Sequence, residues 1–193
     1  HYINRYAFLF NEYIGNKYVY LPELSLRYTG QKTFQFDNSH KTIALYLGGE
    51  NKEFRKYPDE YAVQLLRLLN RQGYNLLLIG DENDNIKHTQ YAEEARIDHL
   101  INLTARTTIE GFINTIANVD LIITIDSSAL HIAAAVKTPF IALMGLSTSP
   151  TSTILPKVPL GRILKIENNL IREEDYIRNI TPDLILKTIS ELI

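Results

Sequence analysis

Apolar residues fall in short blocks from residue 41 onward, and between the blocks they recur at helical spacing. Runs at 42–47, 75–79, 99–103, 121–125 and 140–144 are short and apolar with little alternation, the form of strands covered on both faces. A weaker run at 162–166 predicts a last strand. Pro58 opens a helix at its first position, with Asp59 and Glu60 in the first turn. Tyr61, Leu65, Leu68 and Leu69 form its buried face and Gly73 stops it. A polar helix is predicted over 85–97. Thr107-Thr108-Ile109-Glu110 reads as a capping box, so Thr107 is expected to cap a helix running to about 119. Residues 127–136 read as a small-residue helix, and Thr181-Pro182-Asp183 opens a closing helix to 193.

Strands alternating with helices predict an α/β fold: a Rossmann-like, doubly wound parallel sheet of five to six strands. Residues 1–40 differ. Tyr2, Tyr6, Tyr13, Tyr18, Tyr20 and Tyr28 crowd this stretch, and Ile3, Tyr6, Ala7 and Phe10 predict an amphipathic helix over 2–14. This part is expected to be a connecting segment packed on the domain formed by 41–193. In doubly wound sheets ligands bind at the carboxyl ends of the strands. The loops 48–57, 80–85, 103–107, 126–131 and 145–155 are therefore the places where chemistry is expected.

Composition narrows the function more by exclusion. Twenty Lys+Arg against 22 Asp+Glu give a net charge of −2, which argues against a general electrostatic grip on nucleic acid. Without cysteine there is no disulfide framework and no thiolate chemistry. No metal site is expected, because no histidine pair has ligand spacing. The sequence starts at His1 and its single methionine is Met144, so it is expected to be a piece of a longer protein.

Three constellations carry candidate chemistry. Asp126-Ser127-Ser128-Ala129-Leu130-His131 stands where a buried strand turns into a helix. Small residues there admit a ligand to the backbone, and the free N–H groups of a helix start suit a phosphate or diphosphate. Asp126 is suited to sugar hydroxyls, and Ser127 and His131 lie one turn apart on one face. Equally, Asp126 or Ser127 simply caps the helix and His131 is a hydrogen-bonded core histidine. A Ser-His-Asp hydrolase is disfavoured, since no nucleophile elbow is present. The loop Gly48-Gly49-Glu50-Asn51-Lys52-Glu53-Phe54-Arg55-Lys56 ends in cations beside a helix start, where Arg55 or Lys56 is placed to neutralise a diphosphate. The bland alternative is a solvated charged loop. It lacks the endings of a P-loop and of a dinucleotide fingerprint. Gly80-Asp81-Glu82 puts acids at the end of the second strand, a place for ribose hydroxyls or merely an acidic turn.

Taken together, Asp126-Ser127-Ser128-Ala129-Leu130-His131 with the strand Pro139-Phe140-Ile141-Ala142-Leu143-Met144, Arg55-Lys56-Tyr57-Pro58, and the turn Ile101-Asn102-Leu103-Thr104 resemble the C-terminal domain of family 9 glycosyltransferases. These are the heptosyltransferases of lipopolysaccharide core assembly. The family's glycine in the first motif is Ser128 here, and its lysine aligns with Arg55. The resemblance implies one half of a GT-B fold, with the N-terminal acceptor domain absent. It implies an inverting, metal-independent transfer of a sugar, heptose above others, from a nucleotide-diphosphate donor such as ADP-heptose, with no cofactor. In that reading Ser127, Ser128 and Ala129 hold the diphosphate, with His131 in the same motif. Arg55 or Lys56 offsets charge on the leaving group, Asp126 holds sugar hydroxyls, Glu82 the ribose, and the turn at 103–108, with Thr107, flanks the base. The implied acceptor is a lipid-linked saccharide, reached from the cytoplasmic face of the inner membrane by a peripheral enzyme. Two alternatives stand beside it: another GT-B nucleotide-sugar enzyme (a UDP-sugar transferase or epimerase), and a diverged, non-catalytic binding domain.

Overall fold

The computed structural model describes residues 12, 13, 15, 25–48, 56–145, 156, 158–165 and 173–193. The helix expected over 2–14 and Arg55 lie, but for Glu12 and Tyr13, outside the described residues. Six strands form one parallel sheet: β1 (Thr42–Tyr46), β2 (Asn75–Leu78), β3 (Leu100–Asn102), β4 (Leu121–Ile125), β5 (Phe140–Leu143) and β6 (Gly161–Leu164). Their spatial order is β3-β2-β1-β4-β5-β6. Ile43 of β1 stands in register with Leu76 on one side and Leu121 on the other. Every residue of β1, β2, β4 and β5 is buried, which explains why these runs are apolar without alternation.

Among the described residues five α-helices cover the sheet: α1 (Asp59–Arg71), α2 (Asn85–Ala95), α3 (Ile109–Ala117), α4 (Ser128–Val136) and α5 (Pro182–Ile189). α1 packs with α2 and α5, and α3 packs with α4. The strand order moves one way from β1 to β3 and the other way from β4 to β6. Crossovers of one hand then place the first and second sets of helices on opposite faces. Leu65, Leu66 and Leu69 of α1 are fully buried, each contributing about 1.5–3 kcal/mol of transfer free energy.

Several boundaries differ from the sequence expectation. Pro58 is the N-cap of α1 rather than its first residue, with extended backbone at ψ 135. Thr108, not Thr107, caps α3: its hydroxyl accepts from the Gly111 N–H at 3.1 Å. Glu110 then falls one position too early to close a capping box, and remains as a favourable charge in the first turn. α2 ends at Ala95 because Arg96 turns left-handed at φ 54. The closing helix stops at Ile189 instead of continuing to 193.

Residues 25–40 carry no strand or helix, yet they are tied to α3 by side chains. The Gly30 N–H donates to Asn114 Oδ1 (3.1 Å), and Asn114 Nδ2 donates to Thr29 Oγ1 (2.8 Å). The hydroxyls of Thr33 and Thr115 meet at 2.6 Å.

Candidate functional site

A cleft of about 820 Å³ opens at the carboxyl ends of the strands, beside the point where strand order reverses between β1 and β4. Its size is that of a small-molecule site, for which the range is about 300–1,000 Å³. Three pieces of chain build it. The first is the turn after β2, which contributes Gly80, Asp81, Glu82 and Asn85. This turn is a single 3-10 turn over Glu82–Asp84 in which the Asp81 carboxylate accepts from Asn83 N–H (2.8 Å) and Asp84 Oδ2 accepts from Asp81 N–H (3.3 Å). Glu82 is thereby left exposed on the cleft side.

The second piece is the turn from β3 into α3, which contributes Ala105, Thr107, Thr108, Ile109 and Phe112. Asn102 Oδ1 accepts from Thr104 N–H (3.0 Å), starting the turn, and Leu103 N–H donates to Leu78 O (2.8 Å). Ala105 then adopts φ 59, and its N–H donates to Gly80 O (3.1 Å). The two walls of the cleft are thus joined by backbone bonds. Behind this turn Thr104 is fully buried and its hydroxyl meets Nδ1 of the equally buried His88 at 2.7 Å. Burial, opposed by the charge of Asp81, pulls the His88 imidazole down to about 4.

The third piece is the start of α4, represented by Ser128 and Ile132. Ser127 occupies the N-cap position, but its hydroxyl meets Thr124 Oγ1 at 2.9 Å and does not cap the helix. The first-turn N–H groups of a helix have no intrahelical acceptor, and Ser127 supplies none here. Tyr46, at the end of β1, packs edge-on against Phe112, with ring centroids 6.2 Å apart. With Ile132 and the 81% exposed Ile109, these rings make an apolar shelf between the acidic turn and the helix start. Such a site suits a ligand with a flat apolar part, hydroxyls and an anionic end.

The sequence-derived candidates divide accordingly. Glu82, Thr107 and Ser128 meet in the cleft. Asp126, Ser127 and His131 are half-buried in the adjoining strand-to-helix turn, and Ala129 is fully buried beneath it. Lys56 lines a separate, polar depression of about 150 Å³ with Asp59, Glu60 and Arg178. There, burial works against ionisation of Asp59. Hydrogen bonds from Lys87 and Tyr91, with the charges of Lys87 and Lys56, outweigh it and hold the carboxyl below its ordinary value. Tyr57 is buried with its hydroxyl donated to Ile180 O (2.9 Å), and burial raises its phenol far above the ordinary range. The shelf residues Tyr46, Ile109, Phe112 and Ile132 were not legible as site residues, because as single apolar positions they read as core. Among the described residues no group of three His, Asp or Glu side chains is placed to hold a metal, and no helix is long and apolar enough to cross a membrane.

Comparison with known proteins places this architecture. The family described as glycosyltransferase family 9 (heptosyltransferase) matches residues 1–174. The lipooligosaccharide heptosyltransferase 2 of Haemophilus influenzae is 31% identical over 158 residues, 76% of this chain and 45% of that protein. The lipopolysaccharide heptosyltransferase 2 of Salmonella typhimurium is 25% identical, over 83% of this chain and 49% of its own length. The chain thus spans about half the length of the curated relatives it matches. Among solved structures, the E. coli ADP-heptose heptosyltransferase II superposes with a TM-score of 0.69 at 24% identity, covering 79% of this chain and 46% of that one. An E. coli heptosyltransferase solved with ADP-2-deoxy-2-fluoro heptose superposes at 0.64, with 15% identity, over 80% of this chain and 44% of that one. Extended match, shared parallel sheet and a cleft at its switch point agree: the chain belongs to glycosyltransferase family 9, the heptosyltransferase family.

Proposed function

We propose that this chain is the donor-binding half of a glycosyltransferase that transfers heptose from ADP-heptose to a lipopolysaccharide-core-type saccharide. The observation that carries this reading is a cleft in which an acidic turn, an apolar shelf and a helix start that Ser127 does not cap face one another. The kinship with heptosyltransferases supplies the reaction class. In this reading the adenine lies on the shelf of Tyr46, Ile109 and Phe112, flanked by the turn with Thr107. Glu82 accepts hydrogen bonds from the ribose. The diphosphate meets the first-turn N–H groups at Ser128 and Ala129, and Asp126 takes hydroxyls of the sugar beside Ser127 and His131. An acceptor hydroxyl attacks the anomeric carbon from the face opposite the diphosphate, the bond from that carbon to the diphosphate oxygen breaks, and ADP leaves. The proton of the attacking hydroxyl goes to a base outside this chain, on the acceptor-binding domain. Of the two candidate cations, Lys56 belongs to the separate depression, so Arg55 is the one assigned to offset the charge that develops on the leaving diphosphate, with no metal needed. The complete enzyme works on a lipid-linked acceptor at the cytoplasmic face of the inner membrane.

Calorimetric titration with ADP, UDP and ADP-heptose tests the assignment. Saturable binding of ADP and ADP-heptose, weaker for UDP and lost in Ser128→Trp, is the expected result. Binding that survives Ser128→Trp unchanged sinks the placement of the diphosphate. A preference for UDP over ADP transfers the protein to the UDP-sugar enzymes.

A further inference from the structure

Two polar side chains are shut away together behind the cleft. His88 of α2 and Thr104, in the turn after β3, are both fully buried, and His88 Nδ1 lies 2.7 Å from Thr104 Oγ1. Among the described residues nothing meets the other ring nitrogen, Nε2. A buried N–H without an acceptor is costlier than a bare lone pair, so the ring proton belongs on Nδ1, which donates to the threonine. Tyr91 packs on the imidazole, with centroids 5.8 Å apart. Two apolar residues would fill this space and leave no polar atom unmet. What the polar pair adds is a fixed Thr104. The same residue is held through its backbone, where its N–H donates to Asn102 Oδ1 (3.0 Å). The next residue, Ala105, is exposed, lines the cleft and is left-handed at φ 59. That conformation is unfavourable for alanine and persists only where its surroundings impose it. Main chain joins the two walls of the cleft once, through the Ala105 N–H and Gly80 O. Side chains join them a second time, because α2 begins with Asn85 in one wall and its His88 holds Thr104 beneath the other.

We infer that His88 is a positioning residue for recognition of the base: acting through Thr104, it fixes the left-handed turn at Ala105 and so sets the wall that the adenine of the donor meets. The inference rests on the donor-binding reading above and adds to it a residue that never touches the ligand, since neither His88 nor Thr104 lines the cleft. The ribose and the diphosphate are held elsewhere, at Glu82 and at the start of α4. Loss of the pair therefore weakens the grip on a purine and spares what ADP and UDP have in common.

The test is the ratio of dissociation constants for UDP and ADP, measured by calorimetry alongside the melting temperature. The proteins are the wild type, His88→Leu and Thr104→Val, which remove the bond, and His88→Gln and Thr104→Ser, which keep a donor and an acceptor. In His88→Leu and Thr104→Val the ADP dissociation constant is expected to rise about tenfold while that of UDP stays nearly constant, and the two conservative variants keep the wild-type ratio. Asn102→Ala frees Thr104 from its backbone side and is expected to lower the ratio likewise, which secures the test should the first two variants fail to fold. A folded His88→Leu or Thr104→Val that melts earlier but keeps the full ratio overturns the inference, because a merely structural pair moves stability alone. Equal weakening of ADP and UDP overturns it too, and so does an unchanged ratio in Asn102→Ala. A wild type that does not favour ADP, or does not bind it, overturns the donor-binding reading itself.

Discussion

Lowering the pH should weaken this fold through one imidazole. His88 is fully buried, its Nδ1 meets Thr104 Oγ1, and its Nε2 has no hydrogen-bond partner. Protonation would place a charge there with nothing to receive the second N–H, so the folded protein holds the ring neutral down to about 4. An unfolded chain takes up the proton near the ordinary value of 6.5. The folded value is therefore the lower one. Its contribution to stability is complete above about pH 6.5, is lost as the pH falls toward 4, and flattens below that. The difference of 2.5 between the two values corresponds to a total loss of about 3 kcal/mol, of which roughly 2.5 kcal/mol is gone by about pH 4.5. Carboxylates also titrate in this range, so the comparison must be with a variant that differs only here. His88→Gln retains a hydrogen-bonding partner for Thr104 and does not titrate. Urea unfolding of both proteins at about pH 7.5 and pH 4.5 gives four free energies and one difference of differences. The wild type should lose about 2–3 kcal/mol more than His88→Gln over this span. Equal losses in the two proteins would show that His88 is protonated in the fold and would refute the argument from burial.

Other perturbations are expected to act through single, named causes. Lys137 closes α4 in the left-handed region at φ 64, so Lys137→Gly should raise stability by about 1 kcal/mol, read as a higher melting temperature in calorimetry. Thr108→Ala should cost about 1 kcal/mol by removing the cap of α3. Thr107→Ala should leave melting almost unchanged while altering nucleotide binding, and the reverse pattern would restore the cap to Thr107. Gly161 pairs in register with Phe140, and a methyl group there would come within 2.2 Å of the buried ring. Gly161→Ala should therefore cost about 1–3 kcal/mol in denaturant unfolding, and a neutral result would show that β6 yields freely.

The sheet was legible because its four inner strands are buried on both sides: runs such as Ile122–Ile123 and Leu76–Leu77–Leu78 have no polar face to disguise them. The cap of α3 was not, because Thr107 and Thr108 are both good caps and only the left-handed Ala105 upstream decides which one the chain presents. Within the site, Glu82 and Ser128 announced themselves by their places after a strand and before a helix. Tyr46 and Phe112 did not, since an aromatic at a strand end or in the first turn of a helix has the same periodicity whether it faces core or ligand. Asp84 was hidden for a different reason. An acid in a polar turn reads as solvated, and only the closeness of Gly48 and Gly80, remote from each other in sequence, shows that it is buried.

The bonds between residues 29–33 and α3 have a consequence for amide exchange. Asn114 uses both ends of its amide, accepting from Gly30 and donating to Thr29, so the segment is ordered by a helix's side chains instead of by a ladder of its own. Protection of the Gly30 amide then follows the opening of this clasp and not the unfolding of any regular element. Solvent deuterium should enter Gly30 slowly in the intact protein. In Asn114→Ala it should enter at the rate of an open chain, while the amides of β1, which begins at Thr42, keep their full protection.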